Sequence, residues 1–246
     1  MIAILKSEYY RYRHTWLAPV HLALPILYAL LFFGGAKITS LKKFESASII
    51  ENYLVILGAA FPIVSGAITS KIVDMEANAG HFQVILSTTQ SRYKAYSGKI
   101  LVLILGLLFA DSLAVGLFAV LFGQQRLIDW GIELALIFVG SLTTYFIHLW
   151  VAMRLSIGAS IGLGIVETLL ALLSMTSLGD KIWYFLPCTW PSRLPATYVI
   201  ANQLGERSLL YKELTTWAYA AIPMTFLILT GSLLWFNKWE GQSFSE

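Results

Sequence analysis

The chain of 246 residues is 57% hydrophobic and only 13% charged, and its mean hydropathy is +0.71. Soluble domains carry about twice that share of charge, so the composition lies outside the soluble class. A formal net charge of +3, spread over scattered basic residues, offers no nucleic-acid surface, and Cys188, the single cysteine, leaves no intrachain disulfide.

A helix needs about 20 apolar residues to cross the hydrocarbon core, because its backbone polar groups must be satisfied internally there. The chain opens with Leu5, Tyr9, Tyr12 and Trp16 at helical spacing opposite Lys6 and Arg13. That pattern predicts an amphipathic helix lying in the membrane interface. Lys6, Arg11 and Arg13 before an apolar run ending at Gly34-Gly35-Ala36 resemble a secretory signal, but the run is near spanning length. It therefore reads as a retained first span over 17–35. Charge-free windows predict further spans over 52–70, 134–153 and 214–237. Windows holding one acid each add 100–122, with Asp111, and 155–178, with Glu167. The expectation is an all-α, polytopic membrane protein of one domain over 1–246, with six transmembrane helices and both termini on one side.

With the termini in the cytoplasm, nine of the 17 Lys and Arg lie inside. The positive-inside rule leans that way through the weight of the first span and the small weight of the longest outer loop. Arg154 alone separates the fourth and fifth spans, which makes them antiparallel neighbours. Two connections are long, 71–97 and 179–213.

In the first, Val73, Phe82, Ile85 and Leu86 are too few for a span, while Asp74, Glu76, Arg92 and Lys94 are too many for lipid. A short surface helix is predicted, with 87–91 turning the chain back toward the third span. An ordinary solvated loop is the plain alternative, although about 27 residues is long for a connection with no task. In the second, Trp183, Tyr184, Phe185, Trp190 and Tyr198 cluster with Pro187, Pro191 and Pro195. These aromatics read as an interfacial belt or as a surface touching a lipid-associated substrate.

Asp111 and Glu167 sit near the middle of their spans, where a carboxylate costs about 2.5–3.5 kcal/mol and turns toward the bundle interior or water. Either they form an ion or proton site, or each is satisfied by a neighbour such as Thr143, Thr144 or His148. His21 and His148 read as satisfied interior groups. Gly158 and Gly162 form a Gly-x-x-x-Gly spacing that admits a partner helix, with Ser160 and Gly164 close by. The four histidines are dispersed, so no metal site is expected. No phosphate-binding loop, nucleophile elbow or His-Glu-x-x-His helix occurs, so no catalytic or cofactor-binding residue is expected.

Six spans, an amphipathic start, a polar loop after the second span and a re-entering outer segment before the sixth resemble the permease subunits of type-2 ABC exporters. Glu76, Gly80, Leu86, Arg92 and Lys99 match the family's loop pattern, with Thr88-Thr89 where its proline usually stands. Within that family the chain is similar to the lantibiotic-immunity permeases of the MutG and EpiG kind. The likeness lies in the Lys6-Ser-Glu-Tyr-Tyr10 start and in Trp183-Tyr-Phe-Leu-Pro-Cys-Thr-Trp-Pro-Ser-Arg193.

The resemblance implies a transport subunit rather than an enzyme, in the plasma membrane of a Gram-positive bacterium. Its partners would be an ABC ATPase dimer, which binds the ATP and Mg, and a second homologous permease. The ATPase would couple through Glu76, Gly80, Phe82, Leu86 and Arg92, and the substrate would be a lantibiotic expelled for self-immunity. Trp183, Tyr184, Phe185 and Trp190 would contact substrate or a neighbouring subunit. Other drug or peptide exporters are similar. A secondary transporter coupled through Asp111 and Glu167 is the further alternative, although the sequence lacks the repeated half such proteins show.

Overall fold

The computed structural model describes residues 2–38, 44–78, 82 and 92–241. In chain order the helices are α1 (Ile2–Arg13), α2 (Leu17–Ile38), α3 (Ser46–Asn78), α4 (Arg92–Phe122), α5 (Leu127–Arg154) and α6 (Ile157–Ser174). Three short 3-10 turns, Ser177–Gly179, Trp183–Phe185 and Pro187–Thr189, lead into α7 (Trp190–Leu204) and α8 (Arg207–Lys238). Six of these helices, α2 to α6 and α8, are long and apolar enough to cross a membrane. The described residues contain no strand.

Four of the spans outrun their apolar windows at one or both ends by about two turns, and α3, at 33 residues, does so most. The long connection expected over 71–97 is shorter as a result: Lys71 to Asn78 are the last turns of α3, and α4 begins at Arg92. The charges that seemed to end the span instead support the helix. Lys71 Nζ donates to Asp74 Oδ2 at 2.7 Å, and Asn78 Nδ2 donates to Asp74 Oδ1 at 2.9 Å. A helical ladder has no reason to stop where the hydrocarbon does. The surface helix expected in this connection falls on 79–91, where only Phe82 is described; Gly80, Ile85 and Leu86 lie outside the described residues.

α3 and α5 form the middle of the bundle, with 67% and 56% of their most apolar windows buried, against 22% for α2 and 17% for α8 on the rim. Rim side chains such as Leu31, Tyr219 and Phe226 are exposed. Lipid is as apolar as these side chains, so helix association there relies on close packing at small residues. The α3–α6 contact shows which ones. A Cβ on Gly66 would lie 2.7 Å from the Ser160 carbonyl oxygen, and one on Gly164 would lie 2.7 Å from that of Pro62. Gly158 and Gly162 are not at this seam, since a Cβ on Gly162 would meet nothing within 4 Å. Residues two apart point to nearly opposite sides of a helix, so the seam takes 160 and 164 and leaves 158 and 162 facing out.

α1 meets the bundle through Glu8, Arg11 and Tyr12, whereas Tyr9 is exposed. Two of these three contact residues are charged, Tyr12 of the apolar stripe packs against the core, and the side chain of Leu5 lies outside those described.

Candidate functional site

Four charges share one site where α1, α3 and α4 meet. Lys99 Nζ donates to both carboxylate oxygens of Glu8 at 3.1 Å and to Glu76, and Arg11 Nη1 donates to Glu76 Oε1 at 2.5 Å. Lys99 and Glu76 are buried. An ion taken out of water costs several kcal/mol unless it is paired, and two acids facing two bases meet that condition. The pairing ties the start of the chain to both sides of the connection 79–91.

The same end of the bundle holds the last helix. Arg92 Nη1 donates to the backbone oxygens of Trp239 at 2.7 Å and Asn237 at 3.3 Å, satisfying carbonyls that a helix C-terminus leaves open. Phe82 is buried with its ring edge-on to Trp239, centroids 5.0 Å apart. Three residues expected to couple to a partner, Glu76, Phe82 and Arg92, thus face inward onto α1, α4 and the end of α8. Gly80 and Leu86 lie outside the described residues. Sequence reasoning left Glu8, Arg11 and Trp239 out of this group. The available signal was scarcity: with 13% charged residues, each charge beside a span needs a partner.

Within the spans the acids named from the sequence, Asp111 and Glu167, occupy two separate places. His148 Nε2 lies 2.9 Å from Glu167 Oε2, and its Nδ1 lies 3.0 Å from Ser160 Oγ, which in turn is 3.2 Å from Thr69 Oγ1. Thr69 donates to the Ser65 carbonyl at 2.8 Å. The order serine, histidine, carboxylate is that of a hydrolytic triad. However, Ser160 is fully buried against Thr69 and Gly66, so no substrate carbonyl has room at its oxygen. What the chain of bonds does is give Thr69, Ser160, His148 and Glu167 polar partners where α3, α5 and α6 touch.

Asp111 is placed differently. It lines a cavity of about 460 Å³ between α2, α3, α4 and α5, and its buried Oδ2 has no hydrogen-bond partner among the described residues. Of the neighbours suggested for it, Thr143 Oγ1 pairs with Thr225 Oγ1 at 2.6 Å and His148 serves Glu167, while the buried Thr144 Oγ1 has no hydrogen-bond partner among the described residues. Glu167 does not line this cavity, so the two intramembrane acids are not brought into one site. His21 is satisfied, with Nδ1 donating to the Leu17 carbonyl at 2.8 Å.

The aromatics clustered over 183–198 are mostly interior, which corrects the belt reading. Trp183 and Trp190 are buried, and Trp190 Nε1 donates to the carbonyls of Trp183 at 3.1 Å and Tyr184 at 3.2 Å. Tyr198 is buried too and donates to Asp129 Oδ1 at 2.9 Å. Tyr184 donates to Glu213 Oε2 at 2.6 Å, and burial together with that carboxylate pushes its phenol up to about 12. Phe185 alone of the four proposed contact residues is largely exposed.

The start of α7 is wedged between α3 and α5. A Cβ on Gly58 would lie 2.2 Å from the Pro191 carbonyl oxygen, and one on Gly140 would lie 2.9 Å from the Trp190 carbonyl carbon. By helical rise Gly58 is about 18 Å along α3 from Ser46, and Gly140 is about 20 Å along α5 from Leu127. The segment therefore reaches deep into the bundle.

Among the described residues no group of three or more His, Cys, Asp or Glu is placed to hold a metal ion. Compared with protein-family models, curated proteins and solved structures, the chain matches none.

Proposed function

We propose that this chain is the transmembrane permease subunit of an ATP-driven ABC exporter, expelling a lantibiotic-like cationic peptide from the membrane of a producing bacterium. An ATPase dimer acts from the cytoplasmic side, where both termini lie, and a second related permease completes the pathway. The observation that carries this reading is the anchoring of the connection 79–91. Its base is tied to α1 through Glu76, Lys99, Glu8 and Arg11, and to the end of α8 through Phe82, Arg92 and Trp239. A partner pressing on this connection would move α1, α3, α4 and α8 together, which is what transmission of an ATPase stroke requires.

Glu76 is buried, so on this reading it positions the connection and does not itself touch the ATPase. The test is ATP hydrolysis and peptide protection measured together in the whole complex with Glu76→Gln. Hydrolysis that persists without protection, with the protein still in the membrane, supports the reading.

A second reading, coupling to an ion gradient, is favoured by the Asp111 oxygen that has no partner among the described residues and by the His148–Glu167 pair. The separation of those two places weakens it. Asp111→Asn and Glu167→Gln should abolish transport on that reading and lower only stability on the first.

A further inference from the structure

We propose that the cavity holding Asp111 is a binding site for a lipophilic amine that enters from the bilayer, its ammonium group pairing with the Asp111 carboxylate. The volume of about 460 Å³ falls within the roughly 300–1,000 Å³ of ordinary ligand pockets. Its walls are apolar side chains of α2, α3, α4 and α5, among them Leu57, Val64, Leu107 and Ile137. α2 packs along α4 and touches α3 only lightly, which leaves the cleft open between them. Leu24, Leu27 and Leu31 form its outer wall and are 48%, 55% and 74% exposed, so this wall faces whatever surrounds the bundle. For a helix of spanning length and composition, that surrounding is lipid.

The polar chemistry inside selects the occupant. Tyr28 donates its hydroxyl to the Tyr53 carbonyl at 2.5 Å, and His21 Nδ1 donates to Leu17, so both are engaged with backbone, while Tyr145, the third polar ring of the lining, is buried edge-on to Phe61. No Lys or Arg lines the cavity. Asp111 is its single carboxyl, 6% exposed, with no hydrogen bond or ion pair among the described residues. A buried carboxylate without a partner is costly, and a cation with an apolar body removes that cost while filling the cleft. A hydrocarbon chain alone would fill the space and leave the acid as it stands. The site belongs to this chain alone and does not rest on the permease reading.

The experiment is equilibrium binding of radiolabelled dodecylamine to the purified chain in nanodiscs, with dodecanol as competitor. Saturable binding to one site is expected, with dodecanol competing at least tenfold more weakly than unlabelled amine. Asp111→Asn should weaken binding at least tenfold, and Asp111→Glu should restore most of it. Ala60→Phe, which narrows the cavity and keeps the acid, should also weaken it. Equal competition by dodecanol, or unchanged affinity in Asp111→Asn, would show a seat for hydrocarbon only and overturn the proposal, as would absence of saturable binding. Should Asp111→Asn fail to fold, the comparison of amine with alcohol on the wild type decides by itself.

Discussion

Lys99 and Glu76, 23 positions apart, form a buried ion pair that closes the base of the connection between the second and third spans. Glu8 and Arg11 extend that base to the first helix of the chain. Removing Glu76 takes a counter-charge from both Lys99 and Arg11, although Lys99 keeps Glu8. Glu76→Ala should therefore cost about 1–3 kcal/mol in denaturant unfolding in detergent. The double change Glu76→Met with Lys99→Met should recover a large part of that loss. Equal and additive losses would show that the two residues act separately.

The wedge of α7 gives a sharper contrast. Gly58→Ala and Gly140→Ala must push backbone aside, and each should destabilise by about 1–3 kcal/mol. Gly162→Ala meets open space and should be neutral, or stabilising by up to about 1 kcal/mol through helix propensity. Thermal unfolding of the three variants side by side checks both statements.

His148 holds two polar partners, so its loss should exceed that of Glu167. His148→Leu leaves Ser160 and the Glu167 carboxyl facing an apolar side chain and should cost about 1–3 kcal/mol or more. Glu167→Gln keeps an acceptor oxygen for His148 and should cost less than about 1 kcal/mol. Denaturant midpoints in detergent would read both.

Cys188 is buried between the Trp183 and Trp190 turns of the segment before α7. A membrane-permeant maleimide should label it slowly in the folded protein and rapidly after unfolding. Trp190→Ala, which empties a large buried side chain, should cost about 3–5 kcal/mol and speed labelling several-fold. Fast labelling of the wild type would contradict the wedge.

Six spans were legible because charges are rare enough to mark span edges, and each predicted window falls largely on one long helix. The ends were not legible: Lys71 and Asp74 read as the start of a loop, whereas they pair along a helix that continues beyond the apolar stretch. The aromatics around Trp190 misled for a related reason. A ring with one polar atom suits a headgroup layer and also suits an interior where backbone carbonyls of a tight turn take up that atom, as those of Trp183 and Tyr184 do. Glycines at 58 and 140 held the missing signal, but which helix approaches a small residue is decided in three dimensions. Glu167 and His148, named from their places in the spans, do pair. Asp111, named by the same reasoning, has no protein partner among the described residues.

The permease reading is tested most directly by extraction of a cationic antimicrobial peptide from proteoliposomes holding the complex isolated from native membranes. Extraction should require ATP and a co-purified ATPase, and Glu76→Gln should abolish it while hydrolysis continues. Extraction by the purified chain alone, driven by an imposed ion gradient without ATP, would contradict the reading.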